Sequence, residues 1–393
     1  MTYQDLDLTI RPGVILGPAI ARDGVSVHMV YNVEENSFYI VGDREFFIID
    51  RLNRGLDLDS ISQAYADVFG KALGVQSWRQ MAVLLGSKRL LLADGFEFDV
   101  ESRKKRLIRK WGLSSGRFGL FDPGLLIVGI QRHFPWMISK WALIFGVLSC
   151  TIQCIVVGCH FRSMKDAVGH VFSDVPTIAA LSVVILFVSM FAHEMGHALA
   201  CVGVGVGCGE IGLAWRLPML YFYASTDEVY LVAAHRRVIV SAAGILAGSV
   251  PLLPFAVAYP FLGKGVAAEL VAAILLPGFF ATVVNLLPFF GLDGQRIVSH
   301  SLGVWNISSE GRSWILNAVF RKDTRRCFSS SVKIFAIFEL LATALLVVAS
   351  TWWWIEYLTA VVGAGWATII VNLGWFICGL VLIHFVFSNR KAY

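Results

Sequence analysis

Two histidines and one glutamate stand in the order His193-Glu194-x-x-His197, in a long apolar run that begins near Pro176. Residues four apart lie on one face of a helix, so the two histidines can bind one metal ion. Glu194 follows the first histidine and is placed to accept a proton from an attacking water. Imidazole nitrogens suit Zn²⁺, whose catalytic sites use three protein ligands and leave a fourth position open. The spacing therefore predicts a hydrolytic zinc site.

The composition places this HExxH motif in a membrane. The chain has 393 residues, of which 56% are hydrophobic and 16% charged, with a mean hydropathy of +0.67. Several runs reach the roughly 20 residues that cross a hydrocarbon core, which excludes an ordinary soluble protein. Ionisable side chains are costly in a membrane helix, so those found there are functional by default. The net charge of +5 is modest and gives no reason to expect nucleic acid as a partner.

Residues 1–100 differ from the rest because short runs with alternating polarity replace the long apolar ones. Alternation over a few residues predicts strands, and apolar residues at helical spacing predict amphipathic helices. The predicted elements are two strands, three helices and a final strand-like piece, at residues 25–30, 37–41, 45–52, 58–69, 77–85 and 90–100. This pattern predicts a soluble, winged-helix-like α+β domain.

The order of these elements, with Phe38-Tyr39 before a leucine-rich helix, resembles the PqqD-like peptide-recognition domains. That resemblance implies that the domain binds a leader peptide as an added strand. A winged helix can equally bind DNA or pack against its neighbour, because a fold alone does not fix function. Arginine and lysine are balanced by aspartate and glutamate over residues 1–100, which argues against a membrane-tethered DNA-binding sensor.

Residues 101–140 are predicted to be a linker, with a basic run at 103–110 and a short apolar piece at 119–136 that lies at the membrane interface. Residues 141–393 are predicted to form a polytopic α-helical domain of about six transmembrane helices. Their predicted cores are residues 141–159, 176–200, 238–261, 266–290, 334–354 and 365–387.

Basic residues, Arg236-Arg237 among them, fall at each crossing on the side of the N-terminal domain. This follows the positive-inside rule. We therefore expect an integral protein of a bacterial cytoplasmic membrane, with both termini in the cytosol.

A third ligand is predicted at the cytosolic end of the fourth spanning helix, in the stretch from Asn285 to Gly294, N-L-L-P-F-F-G-L-D-G. Asp293 falls on the same cytosolic side as the two histidines, and its carboxylate completes a His₂Asp site. Asn285 is expected either to bond the substrate backbone or oxyanion, or to hydrogen-bond between helices. Residues 204–216 are expected to supply either an exposed edge strand that holds the substrate or a glycine-rich connector.

The stretches H-E-M-G-H and N-L-L-P-F-F-G-L-D-G together resemble the site-2 protease family of intramembrane zinc metalloproteases, in particular its peptide zinc metalloprotease branch. The resemblance covers residues 180–300. It implies a zinc metalloendopeptidase with His193, His197 and Asp293 as ligands and Glu194 as the base. Neither a PDZ nor a CBS domain is recognisable in the sequence.

These observations predict intramembrane proteolysis of a membrane-associated peptide or protein, in peptide maturation or leader removal. Two alternatives are a catalytically inactive relative that serves in peptide transport or immunity, and regulated proteolysis of a signalling protein. The intact ligand set together with Glu194 argues against the inactive relative.

Overall fold

The computed structural model describes residues 8–92, 115–174, 176–216, 219–289, 291–320, 327–363, 365, 368–369 and 371–374. The chain divides into two compact units. The first comprises Met1–Glu310 and Lys322–Cys327, and the second comprises Gly311–Arg321 and Phe328–Tyr393. The first unit contains the N-terminal sheet and every predicted site residue.

The N-terminal part of the first unit is a three-stranded antiparallel sheet followed by three helices. The strands and helices are β1 (Val14–Arg22), β2 (Val25–Asn32), β3 (Ser37–Gly42), α1 (Asp43–Asn53), α2 (Leu58–Phe69) and α3 (Val75–Ser87). Their core includes the fully buried side chains of Ile49, Ile61 and Trp78. The helices and the last two strands agree with the sequence prediction.

Strand β1 is absent from the sequence prediction, and its own sequence explains why. Gly17 and Pro18 interrupt it, and proline has no N–H to donate to a sheet. The chain accommodates them with an irregularity in the β1–β2 register between Leu16 and Ala19. Of the predicted last piece, residues 90–100, Leu91 forms an isolated antiparallel bridge with Ile10. Residues 93–100 lie outside the described part of the chain, so the winged-helix assignment stays a prediction.

Five helical segments in the described residues are long and apolar enough to cross a membrane. They are α5 (Lys140–Asp174), α6 (Pro176–Gly203), α7 (Ala234–Ser249) continued by α8 (Leu253–Ala258), α9 (Val266–Asn285) and α12 (Ser330–Val362). The first five predicted spans fall on these segments, although α9 ends earlier than the predicted residue 290. Most of the sixth predicted span, residues 365–387, lies outside the described residues.

A second antiparallel sheet, of order β4-β5-β6, is formed by β4 (Ser115–Phe121), β5 (Ile211–Arg216) and β6 (Met219–Ala224). Because β5 pairs on both sides, residues 211–216 are a central strand. The prediction of an exposed edge strand within residues 204–216 is therefore wrong, and the edges of this sheet are β4 and β6. The remaining helices are α4 (Gly124–His133), α10 (Asp293–Ser301) and α11 (Ile307–Phe320).

The N-terminal sheet is joined to the segment that follows α10. Ala21 of β1 accepts a hydrogen bond from the N–H of Trp305 at 2.8 Å and donates its own N–H to the carbonyl of Gly303 at 3.0 Å. The carboxylate of Glu310 accepts hydrogen bonds from the N–H groups of Asp23 and Gly24 in the β1–β2 turn. The outer edge of β1 is thus occupied by the chain itself.

Replacing Asn32 with alanine is expected to destabilise the N-terminal sheet. Asn32 is fully buried, and its amide donates to the carbonyl of Arg89 at 2.9 Å while its oxygen accepts from the N–H of Glu34 at 3.1 Å. A buried polar group that loses its partner costs about 1–3 kcal/mol. Hydrogen exchange of β2 and β3 in the full chain measures this, with exposed Asn53→Ala as the control. Equal exchange in both variants would contradict the prediction.

Candidate metal centre

Three donor atoms from two helices meet at one point. The Oδ2 atom of Asp293 lies 2.7 Å from Nε2 of His193 and 3.1 Å from Nε2 of His197. The two Nε2 atoms are 3.2 Å apart. Donor atoms bound to one tetrahedral zinc at 2.0–2.1 Å lie roughly 3.3 Å from each other. The spacing and chemistry of this group, His193, His197 and Asp293, therefore fit a single metal ion.

The imidazole of His197 is held in one tautomer. Its Nδ1–H donates a hydrogen bond to the carbonyl of Val240, at 2.8 Å, and the side chain is almost completely buried. A proton therefore resides on Nδ1, and Nε2, the atom that faces His193 and Asp293, is the one that can bind a metal ion. Metal-binding histidines in proteins are usually supported in this way by an acceptor at the second ring nitrogen.

Glycines let α6 and α7 approach closely enough to place both histidines. A Cβ atom on Gly244 would overlap the imidazole of His197, and one on Gly248 would lie 3.1 Å from Cβ of His193. In the other direction, a Cβ on Gly196 would lie 2.6 Å from the carbonyl oxygen of Ala243. The facing surfaces of α6 and α7 therefore fit together because glycine, which has no side chain, occupies these contact positions.

Asp293 is the first residue of α10, not the end of a spanning helix as its place in the sequence had suggested. It is buried, and Arg296 lies 3.6 Å from its second carboxylate oxygen. Burial alone would raise the pKa of Asp293, but His197 and His193 outweigh burial and hold that pKa below its usual value. The carboxylate is therefore ionised, as a metal ligand must be.

Glu194 is partly buried and lies within electrostatic reach of all three candidate ligands. It is not one of the converging donors, which leaves its carboxylate available to a reacting molecule. Asn285, the last residue of α9, is also partly buried and makes no side-chain hydrogen bond with any described residue. The structure thus brings together the three predicted ligands and places Glu194 beside them, without placing Asn285 in that group.

The second sheet packs beside the motif. Phe121 of β4 and Phe222 of β6 lie 6.2 Å and 6.1 Å, ring centre to ring centre, from Phe191, two residues before His193. Both edge strands of the sheet therefore pack on α6, on the face that carries Phe191, which lies about 200° around the helix from His193. The sequence prediction missed the supporting groups, namely the Val240 carbonyl and the two glycines of α7. The spacing of Gly244 and Gly248, four residues apart in an apolar helix, is the signal that could have found them.

Comparisons of the chain with protein-family models, with curated proteins and with solved structures found no match. The description of the site therefore rests on its own residues and distances.

Replacing Gly244 with alanine is expected to weaken metal binding, because the added methyl group would displace the imidazole of His197. Loss of a group that supports a metal ligand typically reduces affinity by about 10- to 100-fold. Zinc affinity of the purified protein measures the effect. The control is Gly158→Ala in α5, where an added Cβ meets nothing within 4 Å. If both variants bind zinc like the unchanged protein, the close helix contact is not what places His197.

Proposed function

We propose that the protein is a zinc metalloendopeptidase of the site-2 protease type, which hydrolyses a peptide bond in a membrane-associated peptide or protein. The observation that carries this proposal is the convergence of His193, His197 and Asp293 on one point, with Glu194 beside them. This group forms on a helix that is long and apolar enough to cross a membrane. Two imidazoles and one carboxylate match the open ligand set of catalytic zinc.

The chain's own residues account for the chemistry as follows. Zinc, when bound, supplies a Lewis acid for the scissile carbonyl and makes water more acidic. Glu194 accepts the proton of the attacking water and later donates it to the leaving amine. His197 keeps its orientation through the Val240 carbonyl, so the ligand geometry is set before substrate arrives. Asn285 is proposed to bind the substrate backbone or oxyanion, with a helix-to-helix hydrogen bond as the alternative.

A substrate must reach this site in an extended form, since a helix hides its carbonyls in its own hydrogen bonds. The packing of β4 and β6 against Phe191 places two strand edges on α6, the helix that carries the motif. We propose that substrate adds to one of these edges through main-chain hydrogen bonds, as in other strand-addition complexes.

The N-terminal domain is proposed to recognise the leader segment of the same substrate. Its sheet has β3 at one edge, whereas the other edge, β1, pairs at Ala21 with residues that follow α10. Strand addition at β3 would tether the substrate while another segment enters the metal centre. We therefore propose peptide maturation or leader removal, in a bacterial cytoplasmic membrane with both termini cytosolic, rather than regulated cleavage of a signalling protein.

Replacing Glu194 with glutamine is expected to abolish cleavage while metal binding persists. Glutamine has nearly the same shape but cannot accept the proton, and loss of a general base costs about 10²- to 10⁴-fold in rate. Zinc content and cleavage of a membrane peptide, measured on the same preparation, test this. His193→Ala serves as the comparison that should lose both. An active Glu194→Gln protein would assign the base to another residue.

Peptide binding by the N-terminal domain is expected to depend on main-chain pairing and little on salt. Titrating the full chain with candidate leader peptides should give affinities that fall when proline enters the paired segment, because proline cannot donate to a strand. Duplex DNA is the comparison ligand, since several phosphate contacts make binding fall steeply as salt rises. Tight, salt-sensitive DNA binding without peptide binding would refute this role and leave the protease proposal standing.

A further inference from the structure

Two guanidinium nitrogens of Arg237 are buried without a hydrogen-bond partner among the described residues. Only 1% of its surface is exposed, and neither Nε nor Nη1 has a hydrogen-bond partner among the described residues. The neighbouring Arg236 is exposed and donates to the carbonyl of Val204 at 3.3 Å. Sequence alone had assigned both arginines to the cytosolic membrane surface, but only Arg236 has the exposure that this role requires. A buried charge without a partner is costly, so the position of Arg237 calls for another explanation.

The side chains described beside Arg237, those of Tyr230 and His300, do not supply a negative charge. The ring of Tyr230 lies 6.0 Å from the Arg237 guanidinium carbon and 5.5 Å from the ring of His300. His300 is 3% exposed, and its Nδ1 has no partner among the described residues. Burial, and then the charges of Arg237 and Arg296, lower the pKa of His300 to about 3. The charged groups that act on His300 are therefore both cationic.

The described carboxylates nearby are engaged elsewhere. Asp293 contacts His193, His197 and Arg296, and Glu310 accepts from the β1–β2 turn. Asp227 accepts from Ser225 at 3.1 Å, and Glu228 accepts from Gly207 at 2.7 Å. None of these four carboxylates accepts a hydrogen bond from Arg237. The missing acceptor is therefore not one of the acidic side chains described around this position.

We propose that Arg237, with His300 and Tyr230 beside it, binds a small oxyanion of the phosphate class between the start of α7 and the end of α10. Guanidinium groups pair well with phosphate oxygens, which can accept hydrogen bonds from both of the unsatisfied nitrogens of Arg237. Since α7 packs on both histidines and α10 begins with Asp293, the anion would fasten together the two helices that frame the metal centre. Free phosphate and a lipid headgroup share this chemistry.

Phosphate binding to the full chain tests the proposal. The metal is removed and the chelator dialysed away, so that phosphate cannot bind through zinc, and radiolabelled inorganic phosphate is then measured by equilibrium dialysis. Arg237→Met should bind at least about tenfold more weakly than the unchanged protein, because a charge-assisted hydrogen bond contributes that much or more. Arg236→Gln, which changes the exposed neighbour, should bind normally. Acetate should compete poorly.

A second measurement distinguishes the source of the phosphate. The unchanged protein and Arg237→Met are compared for thermal stability in phosphatidylcholine nanodiscs, with and without inorganic phosphate, and in phosphatidylglycerol nanodiscs. Stabilisation by phosphate indicates a free anion, and stabilisation by phosphatidylglycerol alone indicates a lipid headgroup; in both cases Arg237→Met should not respond. Without either anion, Arg237→Met should be at least as stable as the unchanged protein, because it removes an unpaired buried charge.

Three results would overturn the proposal. The first is that neither phosphate nor phosphatidylglycerol binds to or stabilises the unchanged protein. The second is that Arg236→Gln loses the response as fully as Arg237→Met. The third is that Arg237→Met fails to fold or is clearly less stable in the absence of both anions, which would show that the guanidinium has a partner within the chain.

Discussion

The candidate metal centre depends on the close approach of two apolar helices, α6 and α7. In a membrane, helices gain little from burying apolar surface against each other, so close packing through small residues becomes the main source of association. Gly196 on one helix and Gly244 on the other remove the side chains that would keep them apart. The same approach brings the Val240 carbonyl to His197. The contact that packs α6 against α7 therefore also fixes the orientation of the His197 imidazole.

Asp293 reaches the centre by a different route, through the turn between α9 and α10. Gln295 accepts a hydrogen bond from the N–H of Gly291 at 2.7 Å and donates to Asn306 at 2.9 Å, which ties the turn to the residues after α10. Gly294 lies against the carbonyl groups of Leu286 and Leu287, where a side chain would not fit. The carboxylate is thus positioned by its neighbours on both sides. This matters because Asp293 is nearly 100 positions from the histidines and receives no help from local helix geometry.

Sequence reasoning succeeded where the relevant information is local. The spacing of His193 and His197 on one helix, the apolar spans and the three N-terminal helices all follow from short-range periodicity. The sequence predictions were wrong or incomplete where contacts between residues far apart in the chain determine the structure. The chain continues as a strand through Gly17-Pro18 because the residues on either side of this pair are hydrogen-bonded to β2. Strand β5 is central because β4, which precedes it by about 90 residues, and β6, which follows it directly, pair with its two edges. Likewise, the burial of Arg237 depends on α10 packing over the start of α7, which no local charge pattern reports.

The helix α10 connects the metal centre to the N-terminal sheet. Its first residue is Asp293, and just beyond its last turn Gly303 adopts a left-handed conformation, with φ of +66°, that turns the chain into pairing with β1. A helix of nine residues is about 13 Å long. Trp305 stacks on Tyr230 at 4.1 Å between ring centres, which packs the segment after the Gly303 turn against the residues before α7. The helix that begins with the third candidate ligand is therefore followed directly by the residues that pair with β1, so the position of Asp293 and the placement of the N-terminal sheet depend on one short stretch of chain.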